Sequence, residues 1–212
     1  MMRRVFAVIF GLSLLFAVTS VTMATTAPAG VLGGTDLMFI PTATTLKANS
    51  LAAAVNFEEG KYSFFNFDFG VAKDLELGLA AYSYPDETKL SVRGKFRLIR
   101  ESGNNPGLAI GIQDLGLDDV SPYIVLSKNI NDVDVDGYIG FGGGAYDGVF
   151  AGINKNFKLS RKSGPLSGVD LYMEADTHGL NIGTKLAVGE QTKINFGLVD
   201  MDNWIMGVTF LF

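Results

Sequence analysis

The stretch Leu90-Ser91-Val92-Arg93-Gly94-Lys95-Phe96-Arg97-Leu98 decides how the chain folds. Read as a strand, it puts Leu90, Val92, Phe96 and Leu98 on one face and Ser91, Arg93, Lys95 and Arg97 on the other, because successive strand side chains point to opposite sides. Read as a helix, it would scatter the three cations around the circumference. Such clean alternation predicts a strand with one apolar and one cationic face.

The pattern repeats outward from there. It recurs at Leu75-Glu76-Leu77-Gly78-Leu79-Ala80-Ala81-Tyr82, at Val169-Asp170-Leu171-Tyr172-Met173-Glu174-Ala175-Asp176 and at Leu180-Asn181-Ile182-Gly183-Thr184-Lys185-Leu186. Phe65, Phe67 and Phe69 alternate with Asn66, Asp68 and Gly70, and Ile194, Phe196 and Leu198 with Lys193, Asn195 and Gly197. Tyr123 to Ser127 and Ile205 to Phe212 break the rule by being apolar on both faces.

About twelve strands emerge, near 50–57, 62–71, 75–84, 89–99, 107–114, 121–128, 135–143, 148–157, 168–176, 179–188, 192–199 and 203–212. Connections such as Ala72-Lys73-Asp74 and Thr177-His178-Gly179 are short, which predicts antiparallel hairpins in up-and-down order. Lys158 to Gly168 is the longest expected loop. The 26 glycines and the 11 % of aromatic residues fit pleated strands and tight turns better than a helical bundle.

The N-terminus reads differently. Met1-Met2-Arg3-Arg4 is a basic start, Val5 to Ala17 an apolar run of about 13 residues, and Thr22 and Ala24 supply small residues for cleavage. Residues 1–24 are therefore expected to be a signal peptide, with 25–49 an extended segment that plugs or rims one end and 50–212 the barrel. The chain has no cysteine, which removes disulfides, thiolate metal sites and a lipidated terminus.

With 17 basic against 22 acidic residues and no Lys/Arg-rich run, nothing points to nucleic acid. The part after residue 24 has no apolar run near the 18 residues a spanning helix needs, so any membrane crossing is by strands. Segments of about nine to eleven residues suit a tilted membrane strand, and a closed sheet leaves no backbone group unpaired in lipid. An up-and-down antiparallel transmembrane β-barrel is the expected fold. The last strand alternates Trp204, Met206, Val208, Phe210 and Phe212, and its aromatic end resembles the signal by which outer-membrane barrels are recognised for insertion. Trp204, Phe210 and Phe212 would then engage the barrel-assembly machinery in a bacterial outer membrane.

In such a barrel Arg93, Lys95, Arg97, Lys185 and Lys193 face the lumen with Asp68, Glu76, Asp170, Glu174 and Asp176. On the lipid face near mid-depth each Arg or Lys would cost about 2–4 kcal/mol. Two arrangements follow. One is a hydrophilic pore with a cationic stripe on one wall and an acidic stripe on another. The other is a lumen sealed by salt bridges, with outer loops that dock a partner or polymer.

A third possibility is a lipid-modifying enzyme using His178, the only histidine, but no serine can be placed beside it. Asp114, Asp118 and Asp119, like Asp132, Asp134 and Asp136, read as solvated loop acids rather than a calcium site. Gly140-Phe141-Gly142-Gly143-Gly144 lacks the Gly-Lys-Ser/Thr ending of a phosphate loop, and its glycines suggest close packing or sharp bending of a barrel strand. No cofactor or metal is expected.

The segment Gly34-Thr35-Asp36-Leu37-Met38-Phe39-Ile40-Pro41-Thr42-Ala43 resembles the Gly-x-x-Gly-Leu-x-x-x-Pro-Thr-Ala opening of YjbH-type outer-membrane proteins associated with exopolysaccharide production. Leu75 to Leu79, Ser121 to Lys128, Asp147 to Gly152, Glu174-x-Asp176 and Asn181-x-Gly183 add further matches. Asp36 departs from the pattern, standing where a glycine is usual, and the chain is far shorter than the long members. The resemblance implies a single outer-membrane barrel with a part in passing a polysaccharide or small hydrophilic solute, and supplies no catalytic residue.

Overall fold

The computed structural model describes residues 34–60, 63–159 and 165–212. The expected signal peptide, 1–24, lies outside the described residues, as do 25–33 of the segment expected to follow it. Among the described residues twelve strands are formed: β1 (Leu51–Glu58), β2 (Ser63–Ala72), β3 (Leu75–Ser83), β4 (Thr88–Ile99), β5 (Gly107–Leu115), β6 (Ser121–Ile130), β7 (Val135–Gly142), β8 (Gly148–Lys158), β9 (Leu166–Ala175), β10 (Leu180–Val188), β11 (Thr192–Val199) and β12 (Asn203–Leu211). Each pairs antiparallel with its sequence neighbour, and β1 pairs with β12, so the sheet closes as the expected up-and-down barrel. Leu51 and Phe212 exchange backbone hydrogen bonds of 2.9 and 2.8 Å at the seam. The end of the barrel at which Leu51 meets Phe212 is the terminal end, and the opposite one the far end.

Alternation sets the two faces. Phe67, Phe69, Leu77, Leu79, Leu90, Val92, Phe96, Ile139, Phe141 and Phe196 point outward and are exposed, Leu90 by 69 %. A belt of that extent is far larger than the apolar patches of soluble monomers. Where both faces are apolar, Tyr123, Val125 and Ile205 turn inward and are buried.

The inner face is built on cross-strand pairs of a bulky residue and a glycine. Tyr123 of β6 stands opposite Gly111 of β5, Phe150 of β8 opposite Gly140 of β7, and Tyr172 of β9 opposite Gly183 of β10. A Cβ on any of those glycines would overlap the opposing ring, so the ring lies over its partner strand instead of projecting to the barrel axis. This is the close packing expected of Gly140. The cross-section thus freed is occupied by the N-terminal segment.

Candidate functional site

Residues 34–46 cross the lumen. Thr35, Asp36, Leu37, Met38, Ile40, Thr42 and Leu46 are buried, although they belong to no strand. Internal bonds shape the segment into a closed loop: Thr42 Oγ1 donates to the Thr35 carbonyl (2.6 Å), Thr35 Oγ1 to the Thr44 carbonyl (2.5 Å), and Leu37 N–H to the Ile40 carbonyl (2.9 Å). Its tip inserts where the wall carries glycine. A Cβ at Gly152 would overlap Leu37 and Ile40, and one at Gly197 would overlap Met38.

Wall side chains grip the loop at several heights. The Glu174 carboxylate of β9 accepts backbone N–H groups of Met38 (2.9 Å), Phe39 (2.9 Å) and Ile40 (3.3 Å). On the opposite wall, Glu76 Oε2 of β3 accepts from Leu46 N–H (2.7 Å) and lies 3.0 Å from Thr35 Oγ1. Lys95 of β4 donates to Asp36 Oδ1 (2.7 Å) and Thr35 Oγ1 (2.9 Å), while Ser127 of β6 accepts from Ala43 N–H (2.7 Å). Lys185 of β10 reaches the Asp36 carbonyl at 3.3 Å and lies 5.0 Å from the centre of the Tyr172 ring. These bonds satisfy backbone groups that would otherwise be stranded inside the barrel. The loop leaves the lumen over Gly70 of β2, where a Cβ would overlap the Lys47 carbonyl.

The predicted cationic stripe does not face an acidic stripe across an open channel. The charges interleave, with a carboxylate for each cation of β4. Arg93 makes a two-pronged pair with Asp68, Nε to Oδ1 at 2.6 Å and Nη2 to Oδ2 at 2.5 Å, reaching across Gly78 of β3. Lys95 is paired with Asp36 of the loop. Arg97 binds Asp74 of the β2–β3 turn at the terminal rim, where Arg100 also meets Asp74 at 2.7 Å. Burial of Asp74 pushes its carboxyl up, but hydrogen bonds and charge from Arg100 and Arg97 outweigh this and hold it below its ordinary value.

Asp68, Glu76, Asp170, Glu174 and Lys185 are all buried on the inner face, with Asp170 accepting from Asn156 (2.7 Å). Lys193 is half-buried on the inner face of β11, next to the terminal rim. Asp176 is placed differently: it lies past the end of β9, where its carboxylate accepts N–H groups of His178 (2.8 Å) and Gly179 (3.1 Å), so it shapes a turn rather than the lumen. Trp204 is exposed on the outer face of β12, and Phe210 and Phe212 share that face. A gap lined by Asp36, Glu76, Arg93, Lys95, Gln113 and Tyr123 amounts to about 10 Å³, room for about one water.

The far end carries its own field. Every one of its six connections holds an acid: Glu59, Asp86, Glu87, Asp118, Asp119, Asp147, Asp176, Asp200 and Asp202. Lys89, bound to Glu87 and Asp118 at 3.5 Å each, offsets little of it. His178 Nε2 lies 2.9 Å from the Ala145 carbonyl, which can only accept. Ser121, wholly buried, donates to Asp114 at 2.7 Å. Among the described residues there is no grouping of three or more side chains suited to a metal.

No family model and no curated protein matches the chain. Among solved structures it is similar to a KdgM porin, at 13 % identity and TM-score 0.56, over 76 % of this chain and 98 % of the porin. A structure of KdgM porin in complex with disordered oligogalacturonate gives 13 % identity and TM-score 0.55 over the same shares. At that identity the likeness establishes the fold alone: this chain shares the closed barrel architecture of that porin.

Proposed function

We propose that the protein is a non-enzymatic barrel of a bacterial outer membrane that passes small hydrophilic solutes when residues 34–46 leave its lumen. One observation carries this reading. The lumen is lined with ionic groups, yet it is filled by a segment of the same chain, which Glu174, Glu76 and Lys95 hold through hydrogen bonds and an ion pair while Leu37, Met38 and Ile40 pack against the wall. A barrel meant to stay sealed has no need of such groups, because packed apolar side chains fill an interior with equal or greater stability than buried ion pairs do. Charged walls suit a space that water enters.

The apolar belt, the secretory pattern of residues 1–24 and the aromatic end at Phe212 support the outer membrane, with Trp204, Phe210 and Phe212 offered to the assembly machinery. The likeness to a porin that holds an oligogalacturonate, and the resemblance of the opening segment to exopolysaccharide-associated proteins, make saccharides natural candidates. Replacing His178 by Ala is expected to leave the envelope lipid profile unchanged.

A second reading, a sealed docking barrel, is favoured by the 10 Å³ gap beside Asp36. Planar-bilayer recordings separate the two. The wild-type chain should show rare, brief openings, and Asp36→Ala combined with Glu174→Ala should convert them to sustained conductance. Silence from both proteins, correctly folded by heat-modifiable migration on gels, would leave the sealed barrel.

A further inference from the structure

The outer wall carries a concavity of about 700 Å³, within the size range of small-molecule sites. It exists because the outward positions Gly137 of β7, Ala151 of β8 and Ala175 of β9 are small within a belt of large residues. Ala151 stands directly opposite Ala175, and Ile139, two residues along from Gly137, stands opposite Ala151. The floor therefore runs diagonally for about 12 Å, given two residues of strand rise and two interstrand steps. Leu126, Ile130, Ile153, Met173 and Leu180 form the sides. Gly137 is open above, with nothing closer to a built Cβ than 3.7 Å.

The groove has a charged end. At its terminal-end mouth Lys128 lines the groove beside Gly137, its partner in the β6–β7 register, and Lys155 follows Ile153 on the same outward face of β8. Lys128 Nζ uses two donors, to Glu101 (3.0 Å) and the Gly103 carbonyl (2.5 Å), and Lys155 Nζ one, to the Val133 carbonyl. An ammonium has three donors, so each lysine keeps at least one for a further anion.

We infer that this groove holds one acyl chain of an anionic glycerophospholipid, with the phosphate between Lys128 and Lys155. The inference rests on the membrane reading above. An apolar channel leading to two ammonium groups at the rim has the polarity of a phospholipid, tail to head. A two-fold interface centred on the groove would set the concavity against its own image and leave it empty.

The test uses the full chain, purified in mild detergent, incubated with dioleoylphosphatidylglycerol and read by native mass spectrometry. One lipid should survive on the wild type under conditions that strip the rest. Its occupancy should fall at least tenfold in Gly137→Leu combined with Ala151→Leu, and several-fold in Lys128→Gln combined with Lys155→Gln, with heat-modifiable migration retained. Undiminished occupancy in the filled variant overturns the inference, as does a dimer in the wild type that the same substitutions abolish. Recovery of the protein from cells in the soluble fraction would overturn the membrane reading itself, whatever the lipid result.

Discussion

Lys95 Nζ lies 2.7 Å from Asp36 Oδ1, with both side chains almost wholly buried, and this contact ties the barrel wall to the segment inside it. Asp36 is the position at which the sequence departs from the opening it resembles. Removing one partner of a buried ion pair costs about 3–5 kcal/mol, because the other charge is left desolvated. Here the cost can be relieved by expelling the loop and letting water reach Lys95. Asp36→Ala should therefore raise open probability at least several-fold in bilayer recordings, and adding Lys95→Met should bring it back toward wild type. Equal open probability in wild type and Asp36→Ala would mean that this pair does not hold the loop.

Glu174 receives three N–H groups from the loop tip, from Met38, Phe39 and Ile40. A neutral amide in its place keeps one acceptor oxygen and loses the charge, and hydrogen bonds to charged groups are worth about 1.5–3 kcal/mol each. Glu174→Gln should increase cleavage by protease within 34–46 in membranes, with the twelve strands still protected. Unchanged cleavage would show that Glu174 is dispensable for docking.

The bulky residues laid over glycines predict a packing effect. A Cβ on Gly140 would overlap the Phe150 ring, and moving the ring inward brings it against Tyr146, whose ring centre is 4.9 Å away. Overpacking of this kind costs about 1–3 kcal/mol. Gly140→Val should lower the temperature at which the folded gel band converts to the unfolded one, and Gly140→Val with Phe150→Ala should recover part of the loss.

The acidic far rim predicts selectivity once the lumen is open. A ring of carboxylates concentrates cations and repels anions, and salt screens it. In a salt gradient, the open Asp36→Ala, Glu174→Ala barrel should give a cation-selective reversal potential. Replacing Asp118, Asp119, Asp200 and Asp202 by Asn should reduce it, and high salt should flatten the difference. Anion selectivity would place control at Arg93 and Lys185 instead.

Asp74 supplies a pH effect at the terminal rim. Its carboxyl is held below 3.8 by Arg100 and Arg97 against the upward push of burial. A depressed folded value means that the stabilisation is fully present above 3.8 and is lost as pH falls through the lower folded value. The wild type should therefore exceed Asp74→Asn in heat resistance at pH 7 and at pH 5, with the gap closing only in strong acid. A gap already closed at pH 5 would contradict the depressed value.

The barrel was legible in the sequence because alternation is local. Arg93 and Lys95 needed only their neighbours Val92 and Phe96 to be placed on one face with Leu90 on the other, and the membrane reading then turned the charged face inward. Their partners were not legible. Asp36 lies 59 residues from Lys95, and Glu174 is 136 from Met38, and no periodic signal links a loop to the wall that holds it. The Tyr123 and Gly111 pair required the register of β5 against β6, which composition does not encode. Asp176 misled because it continues the alternation of β9 by one residue beyond the point where the turn, capped by its own carboxylate, takes over.

The most direct measurement is the single-channel conductance of the chain lacking residues 34–46, set beside the intact chain under the same voltage and salt. Both should migrate as heat-modifiable barrels, since no strand is removed. The shortened barrel should conduct steadily while the intact one stays closed for nearly all of the recording. A shortened barrel as silent as the intact one would contradict the proposal that this segment is what closes the pore.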